Sequence, residues 1–114
     1  MTQARRALGA SGEDRAAAWY EAHGYTVEAR NWRCRQGELD LIVRRGRTIV
    51  FCEVKTRSSE AFGAPVEAVT RTKQARLRVL AARWLDEAPV RAMDIRFDVA
   101  SVLAGKLEVL EGAF

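Results

Sequence analysis

Hydrophobic positions recur at two spacings along this chain, and the switches between them mark its elements. Ala16, Trp19, Tyr20 and His23 fall at helical spacing, with Ser11 placed to cap and Asp14 three residues on. Gly24 is a C-terminal stop, so the pattern predicts a first helix over 11–23, after a loose or partly helical lead-in over 1–10. Glu13, Ala17 and Tyr20 lie roughly one above another on it, which sets Glu13 at the border of the packed face. Tyr25 to Trp32 alternates weakly and reads as a strand, followed by a polar turn from Asn31 to Gly37. Two stronger runs, Gly37 to Val43 and Ile49 to Lys55, flank Arg44-Arg45-Gly46-Arg47 and predict a hairpin. Thr56 to Gly63, with Ser58, Ser59 and Gly63, reads as a mobile flap, and Pro65 opens a short turn through Val69. Leu77, Leu80, Ala81, Trp84 and Leu85 give a second helix over about 70–87, with Pro89 at its exit. Met93 to Leu103 and Leu107 to Leu110 are two last strands around Ala104-Gly105-Lys106. The order α-β-β-β-α-β-β predicts an α/β fold, a sheet flanked by helices.

In that pattern the acids of the hairpin are out of place. Asp and Glu are depleted in strands and costly to bury unpaired. Strand alternation puts Asp40, Glu53 and Lys55 on one face, with Leu39, Leu41 and Val43 and with Val50, Cys52 and Val54 on the other. Two registers keep both sets matched. A two-residue turn at Arg45-Gly46 sets Asp40 opposite Phe51 and diagonal to Glu53; a four-residue turn from Arg45 to Thr48 sets Asp40 opposite Glu53. A one-residue slip between them separates the acids and mismatches the apolar sets. A shared acidic face is therefore expected. A structural salt-bridge cluster is the plainer account of it, but buried charge clusters are often no better than apolar packing, which favours a working site.

Composition narrows the classes. A chain of 114 residues is one domain with a modest core. No apolar run approaches the roughly 20 residues that span a bilayer, and Met1 to Ala10 lacks the apolar segment of a secretory signal. Cys34 and Cys52 form neither a disulfide framework nor a metal motif, which fits reduced thiols in a cytoplasmic protein. Net charge is +4, and 16 of 19 basic residues are arginine, whose forked donors suit phosphate. Arg71, Lys73, Arg76, Arg78 and Arg83 have no acid between them on the second helix. That face is either solvated or, with Arg57, lies along a phosphate backbone. Arg57, Lys73, Arg76 and Arg71 are the candidate nucleic-acid contacts.

Two carboxylates and a lysine on adjacent strands suit phosphodiester hydrolysis. Asp40 and Glu53 are hard oxygen ligands for Mg²⁺ or Mn²⁺, with a carbonyl near Val54 and waters completing the shell. The metal lowers the pKa of a bound water, and Lys55 orients that water or stabilises developing charge. Glu13 is a further ligand or water-positioning base, or simply a first-turn helix acid. Asp40, twelve residues, then Glu53-Val54-Lys55 resembles the motif of the PD-(D/E)xK nuclease superfamily, with Leu39 where that name has proline. The preceding helix with its acid resembles the archaeal Holliday-junction resolvases. Gly12-Glu13, Asn31 through Asp40, Phe51 through Arg57, and Phe97-Asp98-Val99 resemble the YraN family of bacterial proteins, and Phe62-Gly63 and Lys73 fit it too. The resemblance implies a restriction endonuclease-like fold on a central mixed sheet. It also implies catalytic Asp40, Glu53, Lys55 and Glu13, a DNA substrate that is branched or a junction, and a homodimer for cutting paired strands. Two other classes stay open: a nucleic-acid-binding protein with little turnover, and an assembly factor for an acidic partner protein. Of the remainder, His23 reads as a helix-end residue, Glu38 as a strand-start surface acid, Asp98 as a strand support, and the tryptophans as core, with Trp32 able to border the site.

Overall fold

The computed structural model describes residues 3–57, 69–88 and 91–114, and in its first helix the side chains from residue 12 onward. Helix α1 spans Gln3–Ala22, so it begins eight residues before the expected start and Ser11 lies inside it rather than at its end. Ala4, Arg5, Arg6, Ala7, Leu8 and Ala10 are good helix formers, and they carry the helix through Ser11 and Gly12. Gly12 has a packing reason to be there. A Cβ at this position would collide with Thr56 Oγ1 and sit 3.6 Å from Val54 Cγ1, so the missing side chain lets α1 lie close on the sheet. Gly24, at φ +85°, ends the helix as expected.

Strands β1 (Thr26–Cys34), β2 (Gly37–Arg45), β3 (Thr48–Arg57), β4 (Asp94–Leu103) and β5 (Lys106–Leu110) form one sheet in chain order. The β3–β4 pair is parallel and the others antiparallel, which makes the sheet mixed. Parallel neighbours need a crossover, and α2 (Arg71–Glu87) lies in it. Thr70 caps α2 by accepting from the Lys73 amide at 3.2 Å. Two loops are tighter than the residue pattern predicts. The polar turn over 31–37 shrinks to Arg35-Gln36 because β1 continues to Cys34, and Thr56 and Arg57 belong to β3 rather than to a flap. Ser58, Ser59, Phe62, Gly63, Pro65 and Pro89 lie outside the described residues.

Each helix closes one face of the sheet. Ala16, Ala17 and Tyr20 of α1 pack on Leu41, Val43, Val50, Cys52 and Ala100. Leu77, Leu80, Ala81 and Trp84 of α2 pack on Ile42, Ile49, Phe51, Phe97 and Val99. Leu39 joins the α2 side, against the alternation that groups it with Leu41 and Val43. The β1–β2 register shifts between Val27 and Ala29 and is then constant to Cys34↔Gly37, but Asn31, at φ +51°, and Asp40 drop out of the pairing between Arg30↔Leu41 and Trp32↔Leu39. The backbone thus breaks its pleat at the Asn31–Asp40 position, and Leu39 turns to the other face. Asp98, fully buried, does support the strand. It accepts from the Tyr20 hydroxyl (2.5 Å), the Arg96 guanidinium (2.8 and 3.0 Å) and the Gly112 amide (2.9 Å), tying α1, β4 and the residues after β5 together.

Candidate active site

The hairpin closes with Arg45 opposite Thr48 around Gly46-Arg47, and its ladder runs back to Leu41↔Cys52. This is the register that places Asp40 across from Glu53, reached through a two-residue turn one position later than the Arg45-Gly46 turn considered from the sequence. Beyond Cys52 the ladder stops. β2 continues paired with β1 and β3 continues paired with β4, so the two strands part, and Asp40 and Glu53 are the first residues inside the fork. Asp40 Oδ2 accepts the Val54 amide at 2.9 Å, which replaces a ladder bond and fixes the carboxylate. Lys55 Nζ lies 3.7 Å and Lys73 Nζ 3.5 Å from the same oxygen, Glu53 Oε1, whose side chain is 10% exposed. A cavity of about 10 Å³, lined by Leu39, Asp40, Glu53 and Leu77 among others, adjoins the pair; that is on the order of one water.

Burial pushes the Asp40 carboxyl up to about 8, and the neighbouring Glu53 carboxylate adds to the rise. The Val54 amide works against it, and the charge of Glu13 adds to it. Glu13 therefore acts on the site from α1, one residue past the point where Gly12 meets Thr56 and Val54. Burial lowers the Lys55 ammonium, as does its neighbour Lys73, while Glu53 and Asp40 oppose this. Two carboxylates held together in a half-buried fork are a donor set whose mutual repulsion a divalent cation relieves. Mg²⁺ takes one or two carboxylates and keeps several waters, so Asp40 and Glu53 suffice as its protein side chains. Among the described residues no three His, Cys, Asp or Glu side chains converge on one ion position, and Glu13 contributes charge rather than a third arm of such a cluster.

The fold thus brings Asp40, Glu53, Lys55 and Lys73 together, with Glu13 at the side. Lys73 reads from the sequence as a nucleic-acid contact on a basic helix and as part of the family pattern; the crossover delivers it to the acidic pair. Arg71 and Arg76 are exposed on α2, and Arg57 is half-buried at the end of β3. Glu38 pairs with Arg33 at 3.1 Å, in line with a surface role. Trp32 is half-buried against the α2-side core.

Residues 12–102 match the family described as "Uncharacterised protein family UPF0102". The chain belongs to that family. The matched span begins at Gly12 and takes in every residue of the site. Three UPF0102 relatives align over nearly their whole length. A UPF0102 protein of Beutenbergia cavernae is 56% identical over 115 residues, covering 96% of this chain and 98% of that one. One of Acidothermus cellulolyticus is 47% identical, covering 97% and 96%. One of Frankia alni is 50% identical, covering 98% of both. Their names state no activity, so what a UPF0102 site does has to be argued from its chemistry. No helix among the described residues is long and apolar enough to cross a membrane.

Proposed function

We propose that this protein is a metal-dependent nuclease of the PD-(D/E)xK type, hydrolysing phosphodiester bonds in DNA on a restriction endonuclease-like fold. The observation that carries this reading is the fork. Asp40 and Glu53 sit side by side where β2 and β3 part, with Lys55 and Lys73 on one Glu53 oxygen. Asp40 and Glu53 would hold Mg²⁺ or Mn²⁺, which when bound makes a water acidic and offsets charge on the phosphate. The chain's own residues do the rest. The Val54 amide holds Asp40 in place, and the ion pairs hold Glu53, so neither carboxylate has to be ordered when substrate arrives. Lys55 and Lys73 face the position where charge develops on the phosphoryl oxygens and stabilise it there. Glu13 positions the attacking water from the α1 side. Arg71 and Arg76, with Arg57, run along the flanking phosphates.

One observation favours a second reading. Glu53 already has two ammonium groups within 4 Å, an arrangement that offsets its charge without a metal and suits phosphate binding with little turnover. A cleavage assay separates the two. The protein meets linear, single-stranded, flapped and four-way-junction DNA with Mg²⁺ or Mn²⁺, beside Glu53→Ala and Lys55→Ala. Cleavage lost in both variants is the expected result. Salt-sensitive binding without cleavage selects the second reading, and neither binding nor cleavage sinks both.

A further inference from the structure

A second basic feature adjoins the fork, at the tip of the β1–β2 hairpin. Arg33, Cys34, Arg35, Gln36, Gly37 and Glu38 line an open groove of about 410 Å³. The tip is anchored to α2. Arg83 Nη1 donates to Gln36 Oε1 at 2.9 Å. Gly37 at φ +150° leaves its Cβ position 3.3 Å from Leu80 Cδ1 and 3.9 Å from Arg76 Cδ, so the turn rests flat on the helix with no side chain between. The one acid of the groove, Glu38, is paired with Arg33. Arg35 is exposed and makes no hydrogen bond or ion pair among the described residues, and Arg76, which lies beside Gly37 on α2, is exposed too. Upstream of Asp86, α2 carries no acid.

We infer that the β1–β2 tip and the adjoining face of α2 seat the phosphate backbone of the nucleic acid to one side of the scissile bond. The inference rests on the nuclease reading and gives its substrate a direction. Gly37 and Glu38 precede Asp40 by two or three residues on an extended strand, roughly 7–10 Å. Adjacent phosphates of one strand are spaced by more than the axial rise of about 3.4 Å per nucleotide, so the seat takes phosphates at most about two to three nucleotides from the bond at the fork. Arg33 and Arg35 supply forked donors for phosphate oxygens, and the tie of Gln36 and Gly37 to α2 fixes the backbone that carries them.

The test is binding in the presence of a chelator, so that no turnover intervenes. Affinity for the DNA form that the wild type binds best is followed by fluorescence anisotropy across a salt series. Arg33→Ala/Arg35→Ala is compared with the wild type and with Arg47→Ala, whose site lies at the far end of the β2–β3 hairpin. The double variant is expected to melt as the wild type does and to bind roughly tenfold more weakly. Its slope of log affinity against log salt falls by about 2, near 0.9 for each lost phosphate contact, while Arg47→Ala keeps the wild-type slope. Neutral methylphosphonate linkages within about three nucleotides of the cut, on the side of the groove, weaken the wild type and leave the double variant unchanged. A double variant with wild-type affinity and slope overturns the groove and leaves the nuclease reading intact. A wild-type protein with no salt-dependent binding overturns both.

Discussion

Replacing Asp40 by asparagine tests the central electrostatic claim without any substrate. The variant keeps the shape and an oxygen to accept the Val54 amide, and removes one negative charge from the fork. Burial and Glu53 raise the Asp40 carboxyl from 3.8 to about 8. Between those values the folded state holds a proton that the unfolded chain has released, so stability falls as pH rises through that window. At about 1.36 kcal/mol per pH unit the ceiling is about 6 kcal/mol. Asparagine keeps a polar group buried in the fork, so only part of that ceiling is recovered. A gain of about 2 kcal/mol for Asp40→Asn at pH 8.5, roughly 8 °C in Tm for a domain of this size, is the expected result. The assay is thermal unfolding by circular dichroism from pH 4 to 8.5 in chelator. Wild type and variant are expected to coincide near pH 4 and diverge as pH rises. Added Mg²⁺ raises the Tm of the wild type and not that of the variant, by mass action on the folded state. A variant that melts at or below the wild type at pH 8.5 without metal refutes the claim that the two carboxylates are held together at a cost.

Other consequences can be checked on the same preparations. Asp98→Ala strands the Arg96 guanidinium and the Tyr20 hydroxyl in a buried network, and urea unfolding is expected to show a loss of about 3–5 kcal/mol. Gly12→Ala should gain about 1 kcal/mol of helix propensity but meets the stiff Thr56 side chain. It is therefore expected to destabilise the wild type by about 1 kcal/mol and to stabilise a Thr56→Ala background, a sign change that a urea double-mutant cycle reads directly. Cys52 is buried and its thiol is pushed up to about 12, whereas Cys34 is half-buried at the hairpin end. Thiol titration at pH 8 should count one reactive cysteine in the native protein and two in denaturant.

Much of this fold was written in local patterns. The apolar stripe of α2 needs only helical period, and it appears where the residues put it. The acids on adjacent strands were visible as a breach of strand composition. Local rules left two registers standing, because both match apolar to apolar across the hairpin. Only the assembled sheet selects the one with Asp40 across from Glu53, since β3 is held by β4 as well as by β2. The early start of α1 was hidden by Ser11 and Gly12, which read as a helix boundary until the close approach to Thr56 gives Gly12 another purpose. The turn of Leu39 to the α2 side was hidden too, because alternation assumes an unbroken pleat and Asn31 breaks it. What the sequence by itself determined is which side chains alternate, where the helices lie, and that acids and lysines share short spans. The parting of β2 and β3, the arrival of Lys73 from α2, and the seating of Gly37 against Leu80 and Arg76 were decided by tertiary structure. They join residues far apart in the chain, and only the packing of two helices on opposite faces of one sheet brings those residues within reach.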